Sequence, residues 1–271
     1  MTMTALELAR SRPLDLFDLS GRSALVTGAT GAFGTAASRA LAGAGAVLTL
    51  AGAGVEKLEA LREELATNAG AVELVGRRPE SDADADAMVA AAVGAHGRLD
   101  IVVCASGFNK PGAATDMPVE QWEAIMDANV LGAWLVCRAA GRRLIEQAEG
   151  GKVILMSSVR GRHGLATGYS AYCPSKAAVD GLTKALACEW GPHGINVNAI
   201  GPTVFRSDLT SWMYEEEGPG RATREGMLAR ISLGRLGEPE DFVGPLLFLS
   251  SAASDFVTGQ ILYVDGGYTA S

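Results

Sequence analysis

Two residues of the sequence have the spacing of a proton-transfer pair. Tyr172 and Lys176 stand four positions apart at the start of a predicted helix, so both side chains project from one face. A tyrosine pKa of about 10 is too high for a good base at neutral pH, and a neighbouring ammonium group lowers it by favouring the phenolate. Ser158 ends the preceding predicted strand, where its hydroxyl can hydrogen-bond a carbonyl or alcohol oxygen. These residue types indicate acid–base chemistry on such an oxygen.

The elements that must position these residues follow from apolar runs that alternate with amphipathic stretches. The predicted strands are residues 24–27, 46–50, 72–75, 101–104, 153–156, 195–200 and 261–264. The predicted helices are residues 31–44, 55–67, 83–96, 119–147 and 171–190. This alternation predicts an α/β fold with a doubly wound, three-layer parallel sheet of Rossmann type and about seven strands.

A glycine-rich turn follows the first predicted strand and opens a helix. It reads Thr27-Gly28-Ala29-Thr30-Gly31-Ala32-Phe33-Gly34. Glycines here allow a tight turn, close approach of the backbone to a pyrophosphate, and close packing of strand and helix, while the helix N-terminus offers N–H groups to the anion. A purely structural turn would explain the glycines alone. We predict a dinucleotide site, with residues 1–19 as an N-terminal extension and residues 20–271 as one dinucleotide-binding and catalytic domain.

The second strand lacks the residue that usually distinguishes NAD from NADP. An acidic residue at its end would bind the ribose 2′-hydroxyl, and an arginine nearby would accept a 2′-phosphate. The sequence there is Leu50-Ala51-Gly52-Ala53-Gly54, with neither. Arg77 and Arg78 follow the third strand and can hold a 2′-phosphate through paired hydrogen bonds, although exposed loop arginines are an equal explanation. NADP is slightly preferred over NAD as the cofactor.

The interval between residues 201 and 238 contains no predicted strand. Apolar side chains are nevertheless spread through it among charged residues: Trp212, Met213, Tyr214, Met227, Leu228 and Ile231. A long insertion after the carboxyl end of a strand is typical of a ligand-binding lid. We predict a substrate lid over residues 203–236, with a surface helical hairpin that has its own apolar seam as the alternative.

Composition and charge exclude several classes of function. The formal net charge of −8 comes without a basic stripe, which argues against nucleic-acid binding. Residues 1–22 lack the apolar core of a signal peptide and no later run has the length of a membrane span, so we expect a soluble, cytoplasmic protein that does not bind a membrane. The cysteines lack Cys-x-x-Cys spacing and the histidines are isolated, so no metal site is expected.

The order of these features resembles the short-chain dehydrogenase/reductase family over residues 19–268. The glycine-rich turn is followed by Asn129, Ser158, Tyr172 and Lys176. The supporting motifs are Gly97-Arg98-Leu99-Asp100, Asp127-Ala128-Asn129-Val130, Asn196-Val197-Asn198-Ala199-Ile200-Gly201-Pro202 and Val264-Asp265-Gly266-Gly267. Three departures from the family pattern concern the cofactor: Ala32 within the turn, Cys104-Ala105-Ser106-Gly107 in place of Asn-Asn-Ala-Gly, and Arg78 in place of an aspartate.

The resemblance implies a role for each matching residue. Tyr172 would be the acid in ketone reduction and the base in alcohol oxidation, Ser158 would polarise the substrate oxygen, and Lys176 would lower the tyrosine pKa and hold the nicotinamide ribose. Asn129 would anchor a water that links Lys176 to solvent. The implied cofactor contacts, which include residues of the glycine-rich turn, are Gly28, Thr30, Gly31, Phe33, Gly34, Gly52, Arg78, Ala105, Gly107, Tyr172, Lys176, Val204, Phe205 and Ser207.

The same resemblance suggests a substrate class and leaves alternatives open. Segments 16–21 and 188–192 are similar to gluconate-type and polyol dehydrogenases, which implies interconversion of a secondary alcohol and a ketone on a sugar acid or polyol. The candidate substrate contacts are Ser158, Tyr172, Arg162 and Arg206, with Arg160 and His163 in the same loop as Arg162. Solvated surface arginines are an equal explanation.

Two other functions remain compatible with the sequence. Tyr169 has the spacing to Lys176 of an enoyl-thioester reductase, and a non-catalytic nucleotide sensor can share the fold. The family commonly forms tetramers, which implies a homo-oligomer.

Overall fold

One parallel sheet organises the computed structural model, which describes residues 11–67, 70–165 and 168–270. Within these residues the sheet has seven strands in the order β3-β2-β1-β4-β5-β6-β7. The strands are β1 (Ser23–Thr27), β2 (Val47–Ala51), β3 (Val72–Val75), β4 (Ile101–Cys104), β5 (Gly151–Met156), β6 (Ile195–Pro202) and β7 (Ile261–Val264). The order reverses between β1 and β4, which is where sheets of this type bind ligands.

Helices cover both faces of the sheet. Those in the described residues are α1 (Ala32–Gly43), α2 (Val55–Leu65), α3 (Asp82–His96), α4 (Val119–Met126), α5 (Gly132–Gln147), α6 (Tyr172–Trp190), α7 (Pro219–Leu228) and α8 (Val243–Ser250). None of them combines the length and apolar character that crossing a bilayer requires.

Two apolar cores lie on opposite faces of the sheet. Successive residues of β1 point to opposite faces, so Leu25 packs in one core while Ala24 and Val26 pack in the other. The first core is completed by α3, α5 and α6, and the second by α1, α2 and α8. All five residues of β1 are buried, because both of its faces are covered. The predicted three-layer, doubly wound fold in a single domain is confirmed.

The predicted helix at residues 119–147 is wrong as one regular element. It is interrupted by a five-residue π-helical turn, Asp127–Leu131, between α4 and α5. The turn widens where the Asn129 side chain hydrogen-bonds the backbone of Phe108, and π turns of this kind often mark functional sites. The structure also adds α7 and α8, which the sequence analysis did not assign, and extends β6 to Pro202.

Residues 203–236 form a helical segment with its own apolar seam. A 3₁₀ helix, Asp208–Tyr214, precedes α7. Met213, Met227 and Ile231 from this segment pack on Val159 and Tyr268, which belong to the body of the domain. The segment is therefore helical and packs beside the loop that follows β5, and its role as a substrate lid stays a prediction. Residues 1–10 of the predicted N-terminal extension lie outside the described residues.

The packing of β1 against α1 depends on two glycines that touch each other. A Cβ on Gly34 would lie 2.1 Å from the carbonyl oxygen of Gly28, and Gly28 itself has a positive φ of 63°. A side chain at residue 34 would therefore push the helix away from the turn. At the other end of α1, Gly43 is exposed and has open space where a Cβ would lie.

These two glycines give a matched test of this contact. We expect Gly34→Ala to lower the free energy of unfolding by about 2–3 kcal/mol through overpacking. Gly43→Ala should leave it unchanged or raise it by up to about 1 kcal/mol, because alanine favours the helix. Urea denaturation followed by circular dichroism measures both, and equal effects of the two substitutions would contradict the packing constraint.

Candidate active site

The carboxyl ends of the central strands open onto a cleft of about 890 Å³. Its walls include seven of the residues predicted to bind a cofactor: Gly28, Thr30, Gly31, Gly52, Arg78, Ala105 and Gly107. They meet here because β2, β1 and β4 are neighbours in register, so that the turn after each strand reaches the same edge of the sheet. The structure thus brings seven of the fourteen predicted cofactor contacts together in the walls of one cleft.

The N-terminus of α1 faces this cleft without a side-chain cap. Gly31 is the N-cap residue, and its carbonyl accepts from the Thr35 N–H at 2.8 Å, but it has no side chain to accept from the first N–H groups of the helix. The first N–H groups of a helix lack partners within the helix and attract anions. Gly28 brings the backbone of the turn against the backbone of Ser106, since a Cβ at residue 28 would lie 2.7 Å from the Ser106 nitrogen. A pyrophosphate fits this arrangement.

Ser158, Tyr172 and Lys176 converge at the end of β5. Tyr172 is the first residue of α6 and Lys176 lies one turn later. The Lys176 ammonium donates a 2.7 Å hydrogen bond to the carbonyl of Met156, the last residue of β5, and lies 5.6 Å from the centre of the Tyr172 ring. Pro174 is the third residue of α6, where its missing N–H costs no hydrogen bond within the helix. The predicted pair and its serine partner are thus neighbours.

Burial has the largest effect on the pKa values of Tyr172 and Lys176. It raises the pKa of Tyr172 to about 12, against smaller lowering effects of hydrogen bonding with Ser158 and of the Arg160 charge. Burial also lowers the pKa of Lys176 to about 8, with the Asp180 carboxylate opposing the change. Lys176 is absent from the groups that lower the pKa of Tyr172, because a lysine with a pKa of about 8 is already neutral at the pH where a tyrosine with a pKa of about 12 loses its proton.

Asn129 connects the cleft to α6. Its side-chain oxygen accepts a hydrogen bond from the Phe108 N–H at 2.9 Å, and its amide group donates to the Phe108 carbonyl at 3.0 Å and to the Ser175 hydroxyl at 2.9 Å. A Cβ on Gly107 would lie 2.6 Å from the Asn129 oxygen and 3.7 Å from the Lys176 nitrogen. Asn129 is therefore buried beside Lys176 and fixes the loop after β4.

Two arginines lie beside the end of the cleft that β2 and β3 form, and they differ in their ion pairs with the described residues. Arg77 forms an ion pair with Asp84 at 3.2 Å. Arg78 is exposed, lines the cleft, and has no ion pair with any described residue. Gly52 leaves room beside it, because a Cβ there would meet nothing closer than the Thr30 hydroxyl at 3.7 Å. The end of β2 is thus open and carries no acidic side chain.

The remaining predicted cofactor contacts lie outside the walls of the cleft. The Phe33 ring packs against the rings of Phe205 and Phe242, with centroids 5.2 Å apart in both pairs. The Phe205 side chain is thus buried in the apolar core, and the partly buried Phe33 ring packs against that core. The Ser207 hydroxyl lies 3.1 Å from the Thr210 hydroxyl and caps the following 3₁₀ helix.

The predicted substrate arginines have different environments. Arg206 forms an ion pair with Glu238 at 3.0 Å, and its guanidinium carbon lies 3.9 Å from the centre of the Tyr214 ring. Its charge is therefore occupied within the helical segment. Arg162 is exposed and lies 6.0 Å from the centre of the Tyr263 ring.

Asp180 is a neighbour of the site that the sequence analysis did not identify. It accepts a hydrogen bond from the hydroxyl of Ser157, and its charge acts on Lys176. The signal was available, because Asp180 follows Lys176 by one helical turn on the same face. Among the described residues, no group of three His, Cys, Asp or Glu side chains is arranged to hold a metal ion.

Comparisons with known proteins agree with this geometry. Residues 28–269 match a family model described as enoyl-(acyl carrier protein) reductase. An uncharacterized oxidoreductase of Mycobacterium tuberculosis is 58% identical over 271 residues, which is 99% of this chain and 100% of that protein. The L-rhamnose 1-dehydrogenase (NAD(P)(+)) of Azotobacter vinelandii is 36% identical over 92% of this chain and 97% of its own.

A solved structure shares the whole architecture. The gluconate 5-dehydrogenase of Burkholderia cenocepacia, in complex with NADP and tartrate, superposes with a TM-score of 0.89 at 30% identity over 96% of this chain and 100% of that one. The match covers the turn after β1, the end of β5 and the start of α6. The chain therefore belongs to the short-chain dehydrogenase/reductase family of NAD(P)-dependent oxidoreductases that act on CH–OH and C=O groups.

Proposed function

We propose that the protein interconverts a secondary alcohol and a ketone on a sugar acid or polyol, with NADP and with Tyr172 as the acid–base group. The observation that carries this proposal is the convergence of Ser158, Tyr172 and Lys176 at the end of β5, beside a cleft that fits a dinucleotide. The printed names of the relatives, an L-rhamnose dehydrogenase and a gluconate dehydrogenase, support the substrate class.

The chemistry divides between the cofactor and three side chains. The bound nicotinamide supplies the hydride acceptor in oxidation and the hydride donor in reduction. In oxidation the Tyr172 phenolate takes the hydroxyl proton of the alcohol as the C–H bond breaks, and in reduction the phenol returns that proton to the carbonyl oxygen. Ser158 donates a hydrogen bond to the same oxygen. Below its pKa of about 8, Lys176 is charged and stabilises negative charge on the Tyr172 oxygen as that charge forms.

Arg78 supports NADP over NAD. Its guanidinium is exposed, lines the cleft and has no ion pair with a described residue. Such a group can hold a 2′-phosphate through two parallel hydrogen bonds. The space beside Gly52 accommodates the phosphate, and no acidic residue at the end of β2 repels it.

Residues 203–236 act as the substrate lid in this proposal. The support is their contact with the loop after Ser158 through Met213, Met227 and Val159. A homo-oligomer, in the form of a tetramer, is supported by apolar side chains that α4, α5 and the intervening turn expose: Trp122, Leu131 and Trp134.

Replacing Tyr172 tests the acid–base assignment. We expect Tyr172→Phe to lower kcat by about 100- to 10,000-fold, because the variant has no proton to exchange. Binding of NADPH, followed by its fluorescence, should be unchanged. Tyr169→Phe is the control, since its ring packs edge-on against Tyr172 with centroids 6.0 Å apart. If Tyr169→Phe loses activity instead and the enzyme reduces a double bond, the enoyl-thioester reductase alternative is correct.

Replacing Arg78 tests the cofactor assignment. We expect Arg78→Ala to raise the KM for NADP by about tenfold or more through loss of charge-assisted hydrogen bonds, with the KM for NAD changed by less than about twofold. Arg77→Ala is the matched control, because Arg77 is paired with Asp84. Equal changes for both cofactors would show that Arg78 does not contact the 2′-phosphate.

The buried lysine predicts a pH-dependent stability. Lysine in the unfolded chain keeps its ordinary pKa of about 10.4, whereas burial lowers the pKa of Lys176 to about 8. Between these values the unfolded chain binds a proton that the folded chain does not, so stability rises with pH. We expect the free energy of unfolding of the wild type relative to Lys176→Met to increase by about 2 kcal/mol from pH 7 to pH 10.

Urea denaturation at the two pH values measures this change. Lys184→Met removes an exposed lysine from the same helix and is the matched control. If the free energies of unfolding of the wild type and Lys176→Met differ by the same amount at both pH values, burial does not lower the pKa of Lys176.

A further inference from the structure

Arg160 is a buried arginine that has no ion pair with any described residue. It lies two positions beyond Ser158, and only 7% of its surface is exposed. One guanidinium nitrogen donates to the Gly164 carbonyl at 3.3 Å, and another lies 3.7 Å from the sulfur of Met227. A thioether is a weak acceptor, and burial of a charge without a partner of opposite charge is costly. The environment of Arg160 therefore favours an anion.

Two arginine side chains, those of Arg160 and Arg230, lie over the ring of Tyr268. The guanidinium carbon of Arg160 lies 5.3 Å from the ring centre and that of Arg230 lies 4.1 Å from it, while Arg230 also donates to the Tyr268 hydroxyl at 2.8 Å. The His163 ring meets Tyr268 edge-on at 6.3 Å, and the Nε2 atom of His163 is buried without a hydrogen-bond partner among the described residues. We call Arg160, His163, Arg230 and Tyr268 the basic cluster.

Nearby carboxylates are engaged elsewhere. The two side-chain oxygens of Asp265 accept hydrogen bonds from the backbone of Gly267 and Thr269. Asp180 accepts one from Ser157. Among the described residues, neither carboxylate forms an ion pair with Arg160 or Arg230.

Other arginines of the same region show the contrast. In and just after the lid, ion pairs join Arg206 to Glu238, Arg221 to Glu225, and Arg235 to Asp241. Arg162 and Arg224 also have no ion pair with a described residue, but Arg162 is exposed and Arg224 donates to the Met213 and Glu215 carbonyls. Arg160 differs from all of these arginines because it is buried.

The basic cluster lies within electrostatic range of the reacting group. The charge of Arg160 acts on Tyr172 and on the adjacent Cys173, in both cases lowering the pKa. Met227, the weak partner of Arg160, belongs to α7 in the lid. A carboxylate that enters beneath the lid can replace this sulfur contact with charge-assisted hydrogen bonds, which are stronger.

We propose that Arg160, with the rest of the basic cluster, binds a carboxylate group of the substrate, so that the enzyme prefers hydroxy acids over neutral polyols. This inference rests on the proposed alcohol–ketone activity and narrows its substrate class. Arg160 anchors the acid end of the substrate while Ser158 and Tyr172 hold the oxygen at the reacting carbon.

Matched pairs of substrates test the preference directly. Each pair consists of an aldonate and the alditol of the same chain length, such as D-gluconate and D-glucitol, which differ only at the carboxylate. We expect the wild type to favour the acid, and Arg160→Met to lower kcat/KM for the acid by about 10- to 100-fold, as for loss of hydrogen bonds to a charged group, with the alditol changed by less than about twofold. Arg160→Lys should retain part of the preference.

The control variant is Arg221→Met, which removes an exposed arginine of α7 that is paired with Glu225. It should leave both members of each pair unchanged. Thermal unfolding shows whether the Arg160 variants are folded. An equal loss for acid and alditol in Arg160→Met, or a wild type with no preference for acids, would overturn the carboxylate site.

A binding measurement separates this inference from the proposed function. Calorimetric titration of Tyr172→Phe with NADP and D-gluconate needs no turnover. We expect binding that Arg160→Met weakens by about 10-fold or more and that D-glucitol does not reproduce. Absence of this difference overturns the carboxylate site, and a preference for a sugar phosphate would assign the cluster to phosphate instead. Selective gluconate binding without any oxidation by the wild type would contradict only the proposed activity.

Discussion

The hydrogen bond from the Lys176 ammonium to the Met156 carbonyl joins the two elements on which the site depends. Met156 ends β5 and so precedes the loop with Ser158, while Lys176 lies one turn into the helix that Tyr172 begins. A buried ammonium left without an acceptor would cost several kcal/mol, so the helix cannot slide along the sheet without breaking this bond. The geometry of the tyrosine relative to the serine is therefore set by the same lysine to which we assign a part in the proposed chemistry.

A second set of contacts connects this pair to the cofactor cleft. Asn129 holds both backbone groups of Phe108 and reaches Ser175 on α6. Its position in the π turn directs the amide inward, where a regular helix would have placed a different side chain. The loop after β4 and α6 are thus both held by Asn129, which connects the wall of the cleft to the helix that carries Tyr172 and Lys176.

The sequence predicts the framework well because its signals are local. Apolar strands with short glycine turns identify the parallel sheet, and the order of Asn129, Ser158, Tyr172 and Lys176 identifies the chemistry. Features that depend on distant residues could not be predicted. The π turn requires the backbone of Phe108, and the pKa of Tyr172 depends on how much of the protein surrounds it. Whether an arginine forms an ion pair also depends on the fold. The side chains of Arg77, Arg78, Arg160 and Arg206 are chemically identical, and only their neighbours in the structure distinguish them.

The open end of β2 has a consequence for how such an enzyme can change. Gly52 lies at the position where a side chain would choose between the two nicotinamide cofactors, and a Cβ there meets nothing closer than 3.7 Å. Gly52 is buried, and its N–H donates to the Val75 carbonyl at 3.1 Å, so the sheet fixes its backbone. Natural selection can therefore add a small side chain at residue 52, at the edge of the cleft, without moving Ser158, Tyr172 or Lys176.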